Sequence, residues 1–275
     1  MPIALNILGI IVVLGILYLM SPNKKDINKK MIIKAFIIQL VLAFILVKFP
    51  LGQMALQKVS DFVTKALSYG ADGVSFVFGD LTKGNVFAVN VLANIIFVSA
   101  LVGALYYLGV IGFVVKMIGG VLGKILGTSK VESFVAVANM FLGQTESPIL
   151  VSKYLGGMNK SEIMLVLVSG MGSMSATVLM GYAGMGIPMK FLLIGGALVP
   201  LGSIIVSKIL LPETKEEIAL REAAATEEVS MDNKGDNPNL ISAISEGALN
   251  GLNMALGIGA TLIGIIALVA MVNEY

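Results

Sequence analysis

The chain has no cysteine and no histidine. Those absences remove disulfides, thiolate nucleophiles, serine–histidine triads and His/Cys zinc sites, together with one familiar proton carrier. Charge is scarce as well. Only 13% of residues are charged, against about 25% in average soluble domains. The net charge of +2 is small and dispersed, which excludes a nucleic-acid surface. No pair of aspartates falls at mid-membrane depth, so an intramembrane enzyme is not expected. What is abundant is apolar: 57% of residues are hydrophobic, and the mean hydropathy is +0.93. The composition is that of an all-α polytopic membrane protein. Its 16 methionines read as gap-fillers between packed helices rather than metal ligands.

Taken in order, the chain predicts about six transmembrane helices. Ile3 to Met20 is apolar throughout and has neither the basic start nor the small-residue cleavage site of a signal peptide. Lys24, Lys25, Lys29, Lys30 and Lys34 follow, with Asp26 alone against them. The positive-inside rule makes this loop cytoplasmic and puts the N-terminus outside. A second span runs from Ile32 to Phe49. Leu51, Met54, Ala55, Val59, Phe62, Val63 and Ala66 then recur at helical spacing among polar residues, as an amphipathic interfacial helix does. Tyr69 to Asn85 is glycine-rich and reads as a loop. Val86 to Val115 reads as one long tilted span, on which Asn90 and Asn94, one turn apart, fit an interhelical hydrogen bond.

The region after Lys116, Lys124 and Lys130 is different. Two short apolar arms, Val131 to Leu142 and Ile149 to Met158, flank Gly143-Gln144-Thr145-Glu146-Ser147-Pro148. An arm of about 12 residues rises about 18 Å, short of a bilayer core of about 30 Å. Two such arms make a re-entrant helical hairpin, with its polar tip at mid-membrane depth facing protein or a cavity. Ser161 to Tyr182 follows as a broken helix, interrupted by Ser169-Gly-Met-Gly-Ser-Met-Ser175. Such a break serves either close helix packing or an ion site of exposed carbonyls and hydroxyls, and the polar tip beside it favours the ion. Phe191 to Leu211 is a span with Pro200 inside. Pro212 to Asn239 carries eight acidic residues against Lys215, Arg221 and Lys234, and reads as a solvated cytoplasmic loop. The last span runs from Ala248 to Val272.

Four motifs then carry a resemblance: Val137-Ala-Asn-Met-Phe-Leu-Gly-Gln-Thr-Glu-Ser-Pro148, Gly181-Tyr-Ala-Gly-Met-Gly186, Phe76-Val-Phe-Gly-Asp-Leu81 and Leu211-Pro-Glu-Thr214. In these the chain resembles the concentrative nucleoside transporter family, over its whole length but only the N-terminal two-thirds of the family's pattern. The resemblance implies a homotrimeric scaffold in the lipid of the cytoplasmic membrane and a mobile domain that moves solute in an elevator-like step. It implies scaffold in residues 1–115 and 240–275, transport-domain elements in 116–211, and a connecting loop in 212–239. It also implies that Gln144, Thr145 and Glu146 hydrogen-bond the base of a uridine-like nucleoside and that Val178 touches it. Asn139 and Ser173 match side chains at a Na+ site, to which Leu142 and Met174 would add carbonyls. Na+ is then the coupling ion, with H+ left open, and no prosthetic group is expected. The family's second hairpin and second broken helix, which hold the ribose, have no counterpart before Tyr275. A truncated symporter is therefore the expectation, with a non-transporting fragment or assembly subunit completed by a partner chain as the alternative.

Overall fold

The computed structural model describes residues 2–84, 86–142, 154–224 and 237–273. Every regular element among them is helical, and five helical stretches, Lys29–Lys48, Ala88–Tyr107, Lys160–Leu179, Met189–Leu210 and Leu240–Asn273, are long and apolar enough to cross a membrane. The first helix, α1 (Pro2–Met20), is apolar along its length. Asn28 caps α2 (Lys29–Lys48), its side chain accepting from the amide of Met31 at 3.1 Å. Pro50 opens α3 (Pro50–Phe78), where a missing amide hydrogen costs nothing and the fixed φ suits a first turn.

The amphipathic helix is longer than its sequence suggests. α3 continues through Gly70 and Gly73 to Phe78, so the stretch read as a glycine-rich loop is mostly helix. Gly70 has a packing role: a Cβ there would lie 2.6 Å from the ring of Phe97 and 2.8 Å from Oδ1 of Asn94. After a 3-10 turn at Gly79–Lys83, a π-helical turn at Ala88–Leu92 leads into α4 (Ala93–Tyr107). The long span predicted here is two helices. Gly109, at φ +78°, ends α4, and α5 (Val110–Leu126) continues through what was expected to be a lysine-bearing loop. Among the described residues, the side-chain amides of Asn90 and Asn94 bond within their own stretch of chain rather than to another helix. They donate to the carbonyls of Gly84 at 2.6 Å and Asn90 at 2.9 Å.

The remaining helices are α6 (Lys130–Ala138), α7 (Lys160–Gly172), α8 (Ala176–Gly184), α9 (Met189–Leu210), α10 (Lys215–Ala224) and α11 (Leu240–Asn273). Ser129, Asn159 and Thr214 each stand three residues before a glutamate and cap α6, α7 and α10 in reciprocal pairs.

The chain divides into two compact units. The first comprises Met1–Gly52, Gly112–Ser175 and Ile194–Met231. Its core gathers Met31 and Ala35 of α2 with Leu126, Ala136, Leu165, Leu201, Ile204, Ile205 and Ile209. The second comprises Gln53–Ile111, Ala176–Leu193 and Asp232–Tyr275. Its largest contact is between α4 and α11, which buries Ala243, Gly247, Gly251 and Ala255 at four-residue spacing. Small residues at that interval let two backbones approach closely.

Candidate functional site

Asn139, Leu142, Ser173 and Met174 lie in the first unit, where α6 and α7 pack together. Each of these helices begins with a capping box, because a Ser or Asn followed three residues later by Glu satisfies two orphan amides reciprocally. α6 is nine residues long and ends before the polar tip. At its C-cap, Asn139 is wholly buried and donates Nδ2–H to Oγ of Ser169 on α7 at 2.7 Å. Ser169 in turn donates back to the carbonyl of Val166 at 3.3 Å.

The helical break falls where serines and glycines cluster, but late in that cluster. Ser169 and Gly170 remain helical, α7 ends at Gly172, and Ser173, Met174 and Ser175 separate it from α8. Ser173 takes up extended backbone, φ −104° and ψ 164°. Its hydroxyl lies 3.1 Å from the carbonyl of Gly170 and 3.4 Å from that of Leu142. The structure thus brings Leu142 and Ser173 into contact and ties Asn139 to the same helix pair. Met174 is half-buried in the break. Val178 lies on α8, in the second unit. Gln144, Thr145 and Glu146 lie outside the described residues, as does half of the expected hairpin's return arm.

The oxygens gathered here are neutral: an amide, hydroxyls, and carbonyls released where the helical ladder stops. Hard cations take oxygen ligands of this kind. A set without a carboxylate on Asn139, Leu142 or Ser173 suits a singly charged ion better than a divalent one.

A second polar assembly was not anticipated from the sequence. Lys208, on α9, pairs with Glu132 and, at 3.1 Å, with Glu213, and it donates to Ser161 Oγ at 3.0 Å. Asn159 donates to the other oxygen of Glu213 at 2.9 Å. Glu213, expected in a solvated acidic loop, has a side chain only 9% exposed. An ionisable residue inside an apolar run is the signal that would have found Lys208. In the second unit, a half-open cavity of about 360 Å³ is lined by Thr64, Leu67, Val91, Asn94 and the 183–189 segment, and it includes none of the predicted site residues.

Comparison with known proteins identifies the family. Residues 8–81 match the family model for the N-terminus of Na+ dependent nucleoside transporters, and residues 191–275 match that for the C-terminus. Residues 88–189 match a gate model described as nucleoside recognition. The chain belongs to the concentrative, Na+-dependent nucleoside transporter family. That family is one of transporters, not enzymes. The nucleoside permease NupC of Helicobacter pylori is 38% identical over 277 residues, which cover 98% of this chain and 64% of the permease. The solved structure of CNTnw in an inward-facing substrate-bound state superposes with a TM-score of 0.86 at 36% identity, covering 99% of this chain and 65% of that one. A variant of CNTnw in an outward-facing state gives 0.88 at 35% identity, covering 98% and 64%. The chain spans about 65% of the length of the bacterial relatives it matches and 38% of the human solute carrier family 28 member 3.

Proposed function

We propose that this chain acts in cation-coupled nucleoside symport, with Na+ as the coupling ion, importing nucleosides across the cytoplasmic membrane by an elevator-type movement. Asn139, Leu142, Ser173 and Met174 hold the ion. Gln144, Thr145 and Glu146 bond the edge of the base, and Val178 keeps the apolar contact that the family pattern gives it. Residues 1–115 and 240–275 serve as scaffold, in a homotrimer with the N-terminus outside, and 116–211 as transport-domain elements.

The observation that carries the ion site is the broken helix. Ser173 sits in the gap after α7 with its hydroxyl between the carbonyls of Gly170 and Leu142, while Asn139 is held by Ser169 one turn below. A carbonyl oxygen has a second lone pair beyond the one that faces the Ser173 hydroxyl, and a partly dehydrated Na+ takes oxygen ligands of this kind. For the base, Gln and Glu supply the paired donors and acceptors that a nucleobase edge requires. An unpaired buried amide costs about 1–3 kcal/mol, which is sufficient to select a matching edge.

Uptake of labelled uridine by cells without other nucleoside transporters tests this reading. Expression of the protein should produce uptake in a Na+ gradient and none when choline replaces Na+. Glu146→Gln should abolish that uptake at unchanged expression. Uptake indifferent to Na+ would remove the coupling ion, and full uptake by Glu146→Gln would remove the hairpin assignment.

A further inference from the structure

We propose that Lys208 is a positioning residue for the cation site: its ammonium group sets the register of α6 against α7 and thereby the approach of Asn139 to Ser169. The functional part rests on the symporter reading above, while the register itself rests on geometry alone.

The two helices are built on one spacing. Glu132 and Glu162 occupy the same position in their capping boxes, with bonds of 2.9 and 3.0 Å in the first and 2.9 and 2.8 Å in the second. Asn139 follows Glu132 by seven residues, and Ser169 follows Glu162 by seven. Seven residues are close to two helical turns, a rise of about 10.5 Å, and return nearly to the same face. The polar pair therefore stands directly up the helices from the two capping glutamates.

Lys208 fixes the lower end. Its three N–H groups meet three acceptors: Glu132 of α6, Ser161 of α7, and Glu213, which in turn accepts from the α7 cap Asn159. An ammonium has three donors, so the set is filled. The Lys208 and Glu132 side chains are 4% and 0% exposed. Glu132, Glu162 and Glu213 approach one another closely enough to suggest a metal site, but two of them, Glu132 and Glu213, already hold the Lys208 ammonium.

Apolar packing between α6 and α7, as at Ala136 and Leu165, tolerates small axial slips. Charge-assisted bonds in a dry interior do not, and fixing register is the best-attested use of buried polar groups. A slip of one residue moves one helix by about 1.5 Å. That is sufficient to break the 2.7 Å bond between Asn139 and Ser169.

Two measurements on the purified protein test this. In the first, Na+ is titrated at constant ionic strength against choline while the melting midpoint is followed. Lys208→Met should raise the half-saturating Na+ concentration about tenfold, the order expected for ligands displaced by a fraction of an ångström. Lys208→Arg should restore it to within a factor of about two, because the charge and the donors return. The triple variant Lys208→Met, Glu132→Gln, Glu213→Gln keeps the capping box and removes the two carboxylates that lose their cation, and it should show the same rise where the single variant fails to fold. Leu201→Ala, a core truncation on α9, should lower the melting midpoint without moving the Na+ dependence. An unchanged Na+ midpoint in both Lys208→Met proteins would overturn the proposal.

The second measurement needs no ion. The chain has no cysteine, so Ala138→Cys, beside Asn139 and fully buried, provides a single thiol. Its reaction with N-ethylmaleimide should be about tenfold faster when Lys208→Met is added, as local opening of a buried site becomes more frequent. Equal rates would overturn the register role. A parent protein whose melting ignores Na+ would defeat the symporter reading instead, and the labelling would still decide whether Lys208 sets the register.

Discussion

Two helix contacts, one in each unit, solve the same problem by opposite chemistry. In the second unit α4 and α11 meet through missing side chains: a Cβ on Gly251 would lie 2.8 Å from Cα of Ile96 and 2.9 Å from the carbonyl of Ile95. Gly103 and Gly247 are just as close to backbone atoms across the seam. In the first unit α6, α7 and α9 meet around Lys208, with carboxylates, a hydroxyl and a cap amide drawn to one ammonium. Lipid tails are as apolar as leucine, so burial of apolar surface cannot by itself hold membrane helices together. Close packing and hydrogen bonds remain. The glycine seam provides shape and no chemistry. The polar seam provides a defined register, and it lies in the unit where a helix is broken and neutral oxygens collect.

The largest expected effect is in the polar seam. Lys208→Met leaves Glu132 and Glu213 buried without their cation, a loss of about 3–5 kcal/mol for a broken buried pair. Denaturation in detergent should show it. Next is the glycine seam, where Gly251→Ala should cost about 1–3 kcal/mol because backbone atoms cannot move aside. Gly257, on the same helix, has open space where a methyl group would stand, with no atom within 4 Å. There the same substitution should stabilise by about 0.5–1 kcal/mol through helix propensity alone. If both substitutions behave alike, the seam is not a close contact. Ser129→Ala removes a cap from α6 and should cost about 1 kcal/mol. Smallest of all, Asp80→Ala breaks the exposed pair with Lys83 and should leave the melting midpoint unchanged.

These contrasts also explain what was legible. The apolar runs announced the spans, and the serine–glycine cluster announced the break. Its position shifted to Ser173 because Ser169 stays in the helix, bonded to Val166 and Asn139. The extension of α3 was hidden because Gly70 usually reads as a breaker, whereas here it admits Phe97 and Asn94. The Lys208 assembly was hidden for another reason. Glu132, Lys208 and Glu213 do not form one sequence motif, since Glu132 is remote from the other two and Glu213 sits at the edge of an acidic stretch that reads as solvated. The four-residue repeat from Ala243 to Ala255 was present throughout, but its meaning depends on a partner helix that periodicity does not name. Of the predicted site residues, Leu142 and Ser173 touch and Asn139 bonds Ser169, while Gln144, Thr145 and Glu146 lie outside the described residues.

The central claim is that Na+ and a nucleoside share a site organised by α6 and the broken helix. Equilibrium binding of labelled uridine to the purified protein, titrated with Na+, tests it most directly, with Asn139→Leu as the variant. The account predicts binding that saturates with Na+ and is absent in choline. It predicts that Asn139→Leu needs roughly tenfold more Na+ or worse, the cost of losing one buried polar ligand. Uridine binding of equal strength in Na+ and choline, or unaffected by Asn139→Leu, would contradict it.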